Sequence, residues 1–231
     1  LQKRISHAEN FSTDLVHEIR NPLASLKSAS EILNDTKDVD QRQKLINILN
    51  HDVQRIERLI TDYSQILKDE VALSKEKFKK TDIIPIINSV VDDYNNIYLV
   101  KRGIKISCLN DNSKSYVING IENRIEQIVA NLLDNAISFS EDNKNIEVKI
   151  SKNLNKQVVV NVLDEGQGFK EKDTTKVFKR FYSNRPDKFG QHSGLGLNIV
   201  NNLVELHKAS ITASNRGDRR GANLEIIFPR L

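Results

Sequence analysis

The sequence predicts an α-helical hairpin followed by an α/β sandwich. Three observations predict it. Apolar residues in the first 73 positions recur with the helical period, broken by a single turn near 34–38. After residue 80 the pattern changes in kind, and helical stretches alternate with short strand-like runs. Between them the charged stretch E-V-A-L-S-K-E-K-F-K-K at 70–80 interrupts the first period. It places a linker near 73–80, separating a domain at 1–75 from one at 80–231.

The first helix is expected over residues 2–35. Ala8, Phe11, Leu15, Ile19, Pro22, Leu26, Ala29 and Leu33 fall within about 80° of one another, at about 100° per residue. His17 lies about 200° from Leu15 and so points away from that seam. Glu18 is beside it and Asn21 is one turn on, on the same face. Pro22 removes a backbone hydrogen bond and crowds the preceding turn, so a kink is expected there. Asn34-Asp35-Thr36-Lys37-Asp38 reads as a turn with helix-capping residues.

A second helix is expected to about residue 73. Leu45, Leu49, Asp52, Ile56, Leu59, Tyr63 and Ile66 alternate in steps of four and three, a bundle seam with Asp52 as its one polar member. A lone hairpin buries such seams poorly, whereas two hairpins make a four-helix bundle, so a homodimer is expected.

In the second domain Asp82–Lys101 reads as a helix, with Ile83, Ile86, Ile87, Val90, Val91 and Tyr94 on its apolar face. Gly103–Leu109 alternates as a strand, with Tyr116–Ile118 as a shorter one. Gly120–Phe139 is a helix. Ile146–Ser151 and Val158–Leu163 are strands, Ile199–His207 lies in a helix, and Ser210–Ala213 with Ala222–Phe228 close the sheet. Helices covering one face of a mixed sheet are the expected result.

Composition narrows the function. The 231 residues hold 38% apolar and 29% charged residues, with 35 basic against 31 acidic, a net charge of +4. No basic run is interleaved with aromatics, so nucleic acid is not an expected partner. Cys108 is the one cysteine and excludes an internal disulfide. No apolar run approaches the roughly 20 residues that span a bilayer. The chain opens at Leu1 inside a helical pattern and has no Met, so an upstream segment is expected.

Three pieces of the second half suit a nucleotide. In N-L-L-D-N-A at 131–136, Asn131 and Asn135 stack their amides on one helical face, where oxygens suit a hard cation such as Mg²⁺. In D-E-G-Q-G at 164–168, Asp164 ends an apolar strand and could accept from an adenine amino group. Gly166 and Gly168 there let the backbone turn and approach a ligand. In S-G-L-G-L at 193–197, Gly194 and Gly196 flank Leu195 and bare backbone N–H groups before a helix, an anion site. Each piece alone is an ordinary surface or turn; their order and spacing together are specific. Between the last two, V-F-K-R-F-Y-S-N-R-P-D-K-F-G-Q-H at 177–192 reads as a lid. Arg180, Arg185 and Lys188 are its candidate phosphate contacts.

On these residues the chain resembles the catalytic core of bacterial two-component sensor histidine kinases, over essentially its whole length. His17-Glu18-x-x-Asn21-Pro22 is similar to the H box and Asn131–Asn135 to the N box. Asp164-x-Gly166-x-Gly168 is similar to the G1 box, Phe178–Tyr182 to the F box and Gly194-x-Gly196 to the G2 box. The resemblance implies a dimerisation and histidine-phosphotransfer hairpin, then a Bergerat-type ATP-binding domain of the kind found in gyrase and MutL. It implies ATP between the glycine loops, with Mg²⁺ on Asn135 and Asn131. His17 is then the phosphoryl acceptor, Glu18 its proton partner, and a response-regulator aspartate the final recipient. Asn21 holds the place of a residue that orients a water for regulator dephosphorylation. A cytoplasmic portion of a bacterial inner-membrane protein is also implied, with membrane contact only through a missing N-terminal sensor region. Three positions depart from the common pattern: Ser138 and Ser183 stand where many relatives carry a basic residue, and His192-Ser193 precede Gly194.

Overall fold

The computed structural model describes residues 2–73, 76–111, 115–171, 173–182 and 194–231, with the backbone alone for 2–12, 62 and 65–73. The chain divides into two compact units, one of residues 1–74 with 183–195 and one of residues 75–182 with 196–231; the first holds the helical hairpin and the second the α/β elements.

In the helical unit, α1 (Gln2–Asp35) and α2 (Val39–Leu73) form the expected hairpin. Its turn closes through side chains. Asp38 accepts from Gln41 N at 2.9 Å, capping α2. Arg42 donates to the carbonyls of Leu33 and Thr36, at 3.2 and 3.0 Å, satisfying the open end of α1. Pro22, Ala29, Asp52 and Leu59 are buried. Ala8, Phe11 and Ile66 of the expected seams lie outside the residues whose side chains are described. A second stripe stays exposed one position along: Ile46, Val53 and Ile60 on α2 are 37%, 45% and 50% exposed, at heptad spacing. Val16 and Leu23 make the same step on α1 and are also exposed.

The α/β unit contains β1 (Lys79–Asp82), α3 (Ile83–Arg102), β2 (Lys105–Asn110), β3 (Val117–Gly120) and α4 (Glu122–Phe139). It continues with β4 (Asn145–Lys152), β5 (Val158–Leu163), a 3₁₀ turn at Thr174–Phe178, α5 (Gly196–Leu206), β6 (Ser210–Asn215) and β7 (Ala222–Phe228). The main sheet runs β2-β4-β5-β7-β6, parallel between β2 and β4 and antiparallel elsewhere. The short strand at 117–120 pairs with β1, not with the main sheet, and β1 itself falls in the stretch read from sequence as linker. Four polar residues, K-K-T-D, carry no apolar alternation, which is why β1 escapes a pattern reading.

Alternation puts one face of the sheet inside: Ile146, Val148 and Ile150 on β4 are at most 1% exposed, and Leu132 and Leu133 of α4 are fully covered above them. Polar locks fix the layers. Asn95 of α3 makes two 2.8 Å bonds to the backbone of Ile106 on β2. Arg102 donates to the carbonyls of Ile137 and Ser140, at 2.8 and 2.6 Å, closing the end of α4. At the other end of α4, buried His207 accepts from Ile121 N through Nε2 at 3.1 Å, while its Nδ1 donates to Leu203 O at 2.7 Å. Acceptance at Nε2 requires the neutral ring, and the Leu203 bond places its one proton on Nδ1.

Burial holds His207 below the usual histidine range, against the opposing pull of the Leu203 carbonyl. Its contribution is therefore complete above the unfolded-state value and is lost as pH falls through it. Denaturant unfolding of wild type against His207→Gln should show an excess loss of stability between about pH 7.5 and about pH 5.5, at most about 1.4 kcal/mol per pH unit. Parallel curves for the two proteins would contradict the neutral assignment.

Candidate functional site

In the helical unit His17 is exposed, as its position on the wheel predicts. Asn21 is exposed as well, one turn on. Glu18 is half-buried and engaged: Arg55 of α2 donates to Oε2 at 2.9 Å. The bond fixes the acid beside His17 against the second helix, and nothing in the sequence around residue 55 announces it. Pro22 lies inside a continuous α1.

In the α/β unit, α4 carries the two amides. Asn131 spends its Nδ2 on Gln127 O at 2.8 Å, which leaves Oδ1 on the side of the first turn of α5. A Cβ added at Gly196 would lie 3.3 Å from that Oδ1, so the first turn of α5 approaches Asn131 closely because Gly196 has no side chain. Asn135 is half-buried and one turn further along the same face. Between them Asp134 turns elsewhere, accepting from the Tyr94 hydroxyl at 2.9 Å. Ser138 points back at the helix, donating to Asn135 O at 2.7 Å. Two amide oxygens without carboxylates are a fit for Mg²⁺, which keeps water and phosphate as its other ligands. Among the described residues there is no His, Cys, Asp and Glu cluster able to hold a metal by itself.

Asp164, at the end of β5, is 3% exposed. Its Oδ1 accepts from Gly166 N at 2.8 Å and from Ala222 N at 3.0 Å. Burial pushes the carboxyl above its ordinary range, opposed by these two N–H groups and by Arg216. Oδ2 accepts neither of these two bonds. The glycines are sterically required. A Cβ at Gly166 would sit 2.5 Å from Phe139 O, and Gly168 adopts φ +72° with Asn215 Oδ1 2.6 Å from where its Cβ would be. The 3₁₀ turn that follows is tied down by Thr174 Oγ1 to Ala213 O, 2.6 Å, and by Asn198 Nδ2 to Phe178 O, 2.9 Å. Arg180 is half-buried just beyond it. Gly194 turns the chain at φ +73° ahead of α5, and Leu195 is buried. Arg185, Lys188 and the rest of 183–193, including Ser183 and His192-Ser193, lie outside the described residues.

Residues 8–71 match the family described as "His Kinase A (phospho-acceptor) domain". Residues 120–231 match "Histidine kinase-, DNA gyrase B-, and HSP90-like ATPase". The chain belongs to the sensor histidine kinase family. Among curated relatives, sensor protein ChvG of Agrobacterium fabrum is 38% identical over 96% of this chain and 38% of its own length. Sensor protein ChvG of Rhizobium meliloti is 35% identical over 96% of the chain and 39% of its own length. The chain therefore spans about two fifths of these relatives. The fold is also that of histidine kinase ThkA, crystallised with response regulator protein TrrA, at TM-score 0.68 and 24% identity over 100% of this chain and 64% of that one. His17 falls in the phospho-acceptor match, and Asn131, Asn135, Asp164, Gly166, Gly168, Arg180, Gly194 and Gly196 fall in the histidine kinase ATPase match.

The glycines differ in what they tolerate. Gly168→Ala is expected to destabilise the histidine kinase ATPase unit by about 1–3 kcal/mol, because its φ is left-handed and its space is filled. Gly217, with no atom within 4 Å of an added Cβ, should change by no more than about 0.5 kcal/mol as Gly217→Ala. Equal unfolding midpoints for the two variants would contradict the packing described.

Proposed function

We propose that the chain is the kinase core of a two-component sensor, taking the γ-phosphoryl group of ATP onto His17 and passing it to an aspartate of a response regulator. The observation that carries the nucleotide reading is the state of Asp164: a buried carboxylate with one oxygen saturated by backbone N–H groups and the other left open, in a loop that two glycines allow to approach a ligand. An open acceptor oxygen suits the amino group of adenine. Asn131, Asn135, the backbone at Gly194–Gly196 and the basic residues Arg180 and Arg185 supply oxygens and positive charge for the phosphates. Mg²⁺ held by Asn135 and Asn131 would neutralise charge on the phosphate chain. With little covalent work left for the protein, placement and charge carry the rate.

At the acceptor, neutral His17 attacks the γ-phosphorus through Nε2. The new N–P bond forms as the bond from phosphorus to the bridging oxygen breaks and ADP leaves. Glu18 takes or polarises the ring proton at Nδ1, and the Arg55 bond holds Glu18 in place for it. In the reverse function Asn21 orients a water toward the regulator's aspartyl phosphate. The exposed heptad stripe of Ile46, Val53 and Ile60 supports a second copy as the missing half of a four-helix bundle. Domain limits of 1–75 and 80–231 accompany this reading, with β1 reaching back to Lys79. No helix of the described residues is long and apolar enough to cross a membrane; attachment to the inner membrane is placed in a sensor region outside these 231 residues.

Incubation with γ-labelled ATP and Mg²⁺ tests the reading. Wild type should label and His17→Ala should not; a labelled mutant would reject His17 as acceptor. Asp164→Asn keeps an oxygen for the two N–H bonds but presents an NH₂ to the base, so ATP affinity should fall about 10–100-fold with folding retained. Unchanged affinity would move the base elsewhere. Asn21→Ala should lower regulator dephosphorylation about tenfold or more while sparing autophosphorylation, and parallel loss of both would discard that role.

A further inference from the structure

Two adjacent side chains that the chemistry above does not use hold the D-E-G-Q-G segment at both its ends. Asn215 is the last residue of β6 and Arg216 is the next. Asn215 takes the far end: Oδ1 accepts from Phe169 N at 2.6 Å and Nδ2 donates to Phe169 O at 3.0 Å. Arg216 takes the near end, donating to the main-chain oxygen of Asp164 at 3.3 Å. The guanidinium is itself fixed by Glu147 at 2.9 Å and by two bonds to Asp218 at 2.9 and 2.8 Å, and its side chain is 0% exposed. The backbone between the grips is locked too. Asp164 and Ala222 exchange N–H bonds, and Arg216 N donates to Gly221 O at 3.0 Å. A Cβ at Gly221 would lie 2.0 Å from Asp164 O, so this turn is pressed against the loop.

A buried arginine held by two carboxylates is a poor way to gain stability, because desolvation offsets most of the attraction and an apolar replacement is often as stable. What it supplies is direction: a planar fork fixes the atoms it touches. Those atoms are the backbone of the residue whose open Oδ2 faces the ligand. We propose that Asn215 and Arg216 are positioning residues for the nucleotide base, setting the aim of Asp164 and with it the preference for adenine over guanine. The proposal rests on reading 164–169 as the base site. Guanine carries an oxygen where adenine carries its amino group, so a carboxylate held rigidly repels it, and one allowed to swing discriminates less.

The test uses Arg216→Lys and Asn215→Asp, which keeps the acceptor for Phe169 N and replaces the donor to Phe169 O with a carboxylate oxygen that the carbonyl repels. Dissociation constants for ATP and GTP would be measured by displacement of a fluorescent ATP analogue, with the unfolding midpoint and the initial labelling rate at saturating ATP alongside. The expected result is ATP binding about tenfold weaker, an ATP-to-GTP preference about tenfold smaller, and a saturated rate within about twofold of wild type. A purely structural role gives the opposite split, with the saturated rate falling in step with the folded fraction and nucleotide preference unmoved, and that result overturns the proposal. Wild type that binds ATP and GTP equally overturns it as well. Wild type that prefers ATP but never labels His17 would reject the phosphotransfer reading and leave this one standing.

Discussion

The α/β unit depends on one constraint: a carboxylate at the end of β5 is buried and its hydrogen bonds must be met. An unpaired acceptor there would cost about 1–3 kcal/mol or more. Asp164 meets the demand on one side with Gly166 N and Ala222 N, and each partner imposes its own geometry. Reaching Gly166 within two residues forces the chain to double back against the end of α4, where Phe139 O leaves no room for a Cβ. Reaching Ala222 brings β7 and its preceding turn up against the loop, and Gly221 is needed there for the same reason. The register between β5 and β7, with Leu163 opposite Asn223, is the continuation of that pairing into the sheet. The other oxygen is the one the proposed function assigns to the base.

In the hairpin the corresponding fact is surplus rather than shortage. Two helices cover one stripe of each other and leave the neighbouring stripe of Ile46, Val53 and Ile60 bare. On α1, exposed His17 lies about 100° round the helix from exposed Val16. A second copy of the hairpin is the proposed cover for that stripe.

Long periodic elements were legible in the sequence. Both hairpin helices and the strands β4 and β5 lie within a residue or two of where periodicity puts them, because burial of one face dictates the pattern. β1 was not legible, since Lys79–Asp82 is polar throughout and becomes a strand only by pairing with β3. The glycines and Asp164 stood out because a sharp turn after an apolar strand restricts which residues can serve. Arg55, Asn215 and Arg216 did not. Each reaches a partner 37 or more positions away in sequence, and G-D-R-R-G reads locally as a turn. Asp52, an exception in the heptad, is buried on the seam with Oδ2 unpartnered among the described residues; pattern flagged the residue but gives no account of it.

The account turns on a phosphoryl group being carried by the ring of His17. The direct measurement is to map the label after brief reaction with γ-labelled ATP and to test its bond. The account predicts one labelled peptide, containing His17, whose phosphate survives alkali and is lost in mild acid, as a nitrogen–phosphorus bond requires. Label that survives acid, or that maps to any peptide without His17, would contradict it.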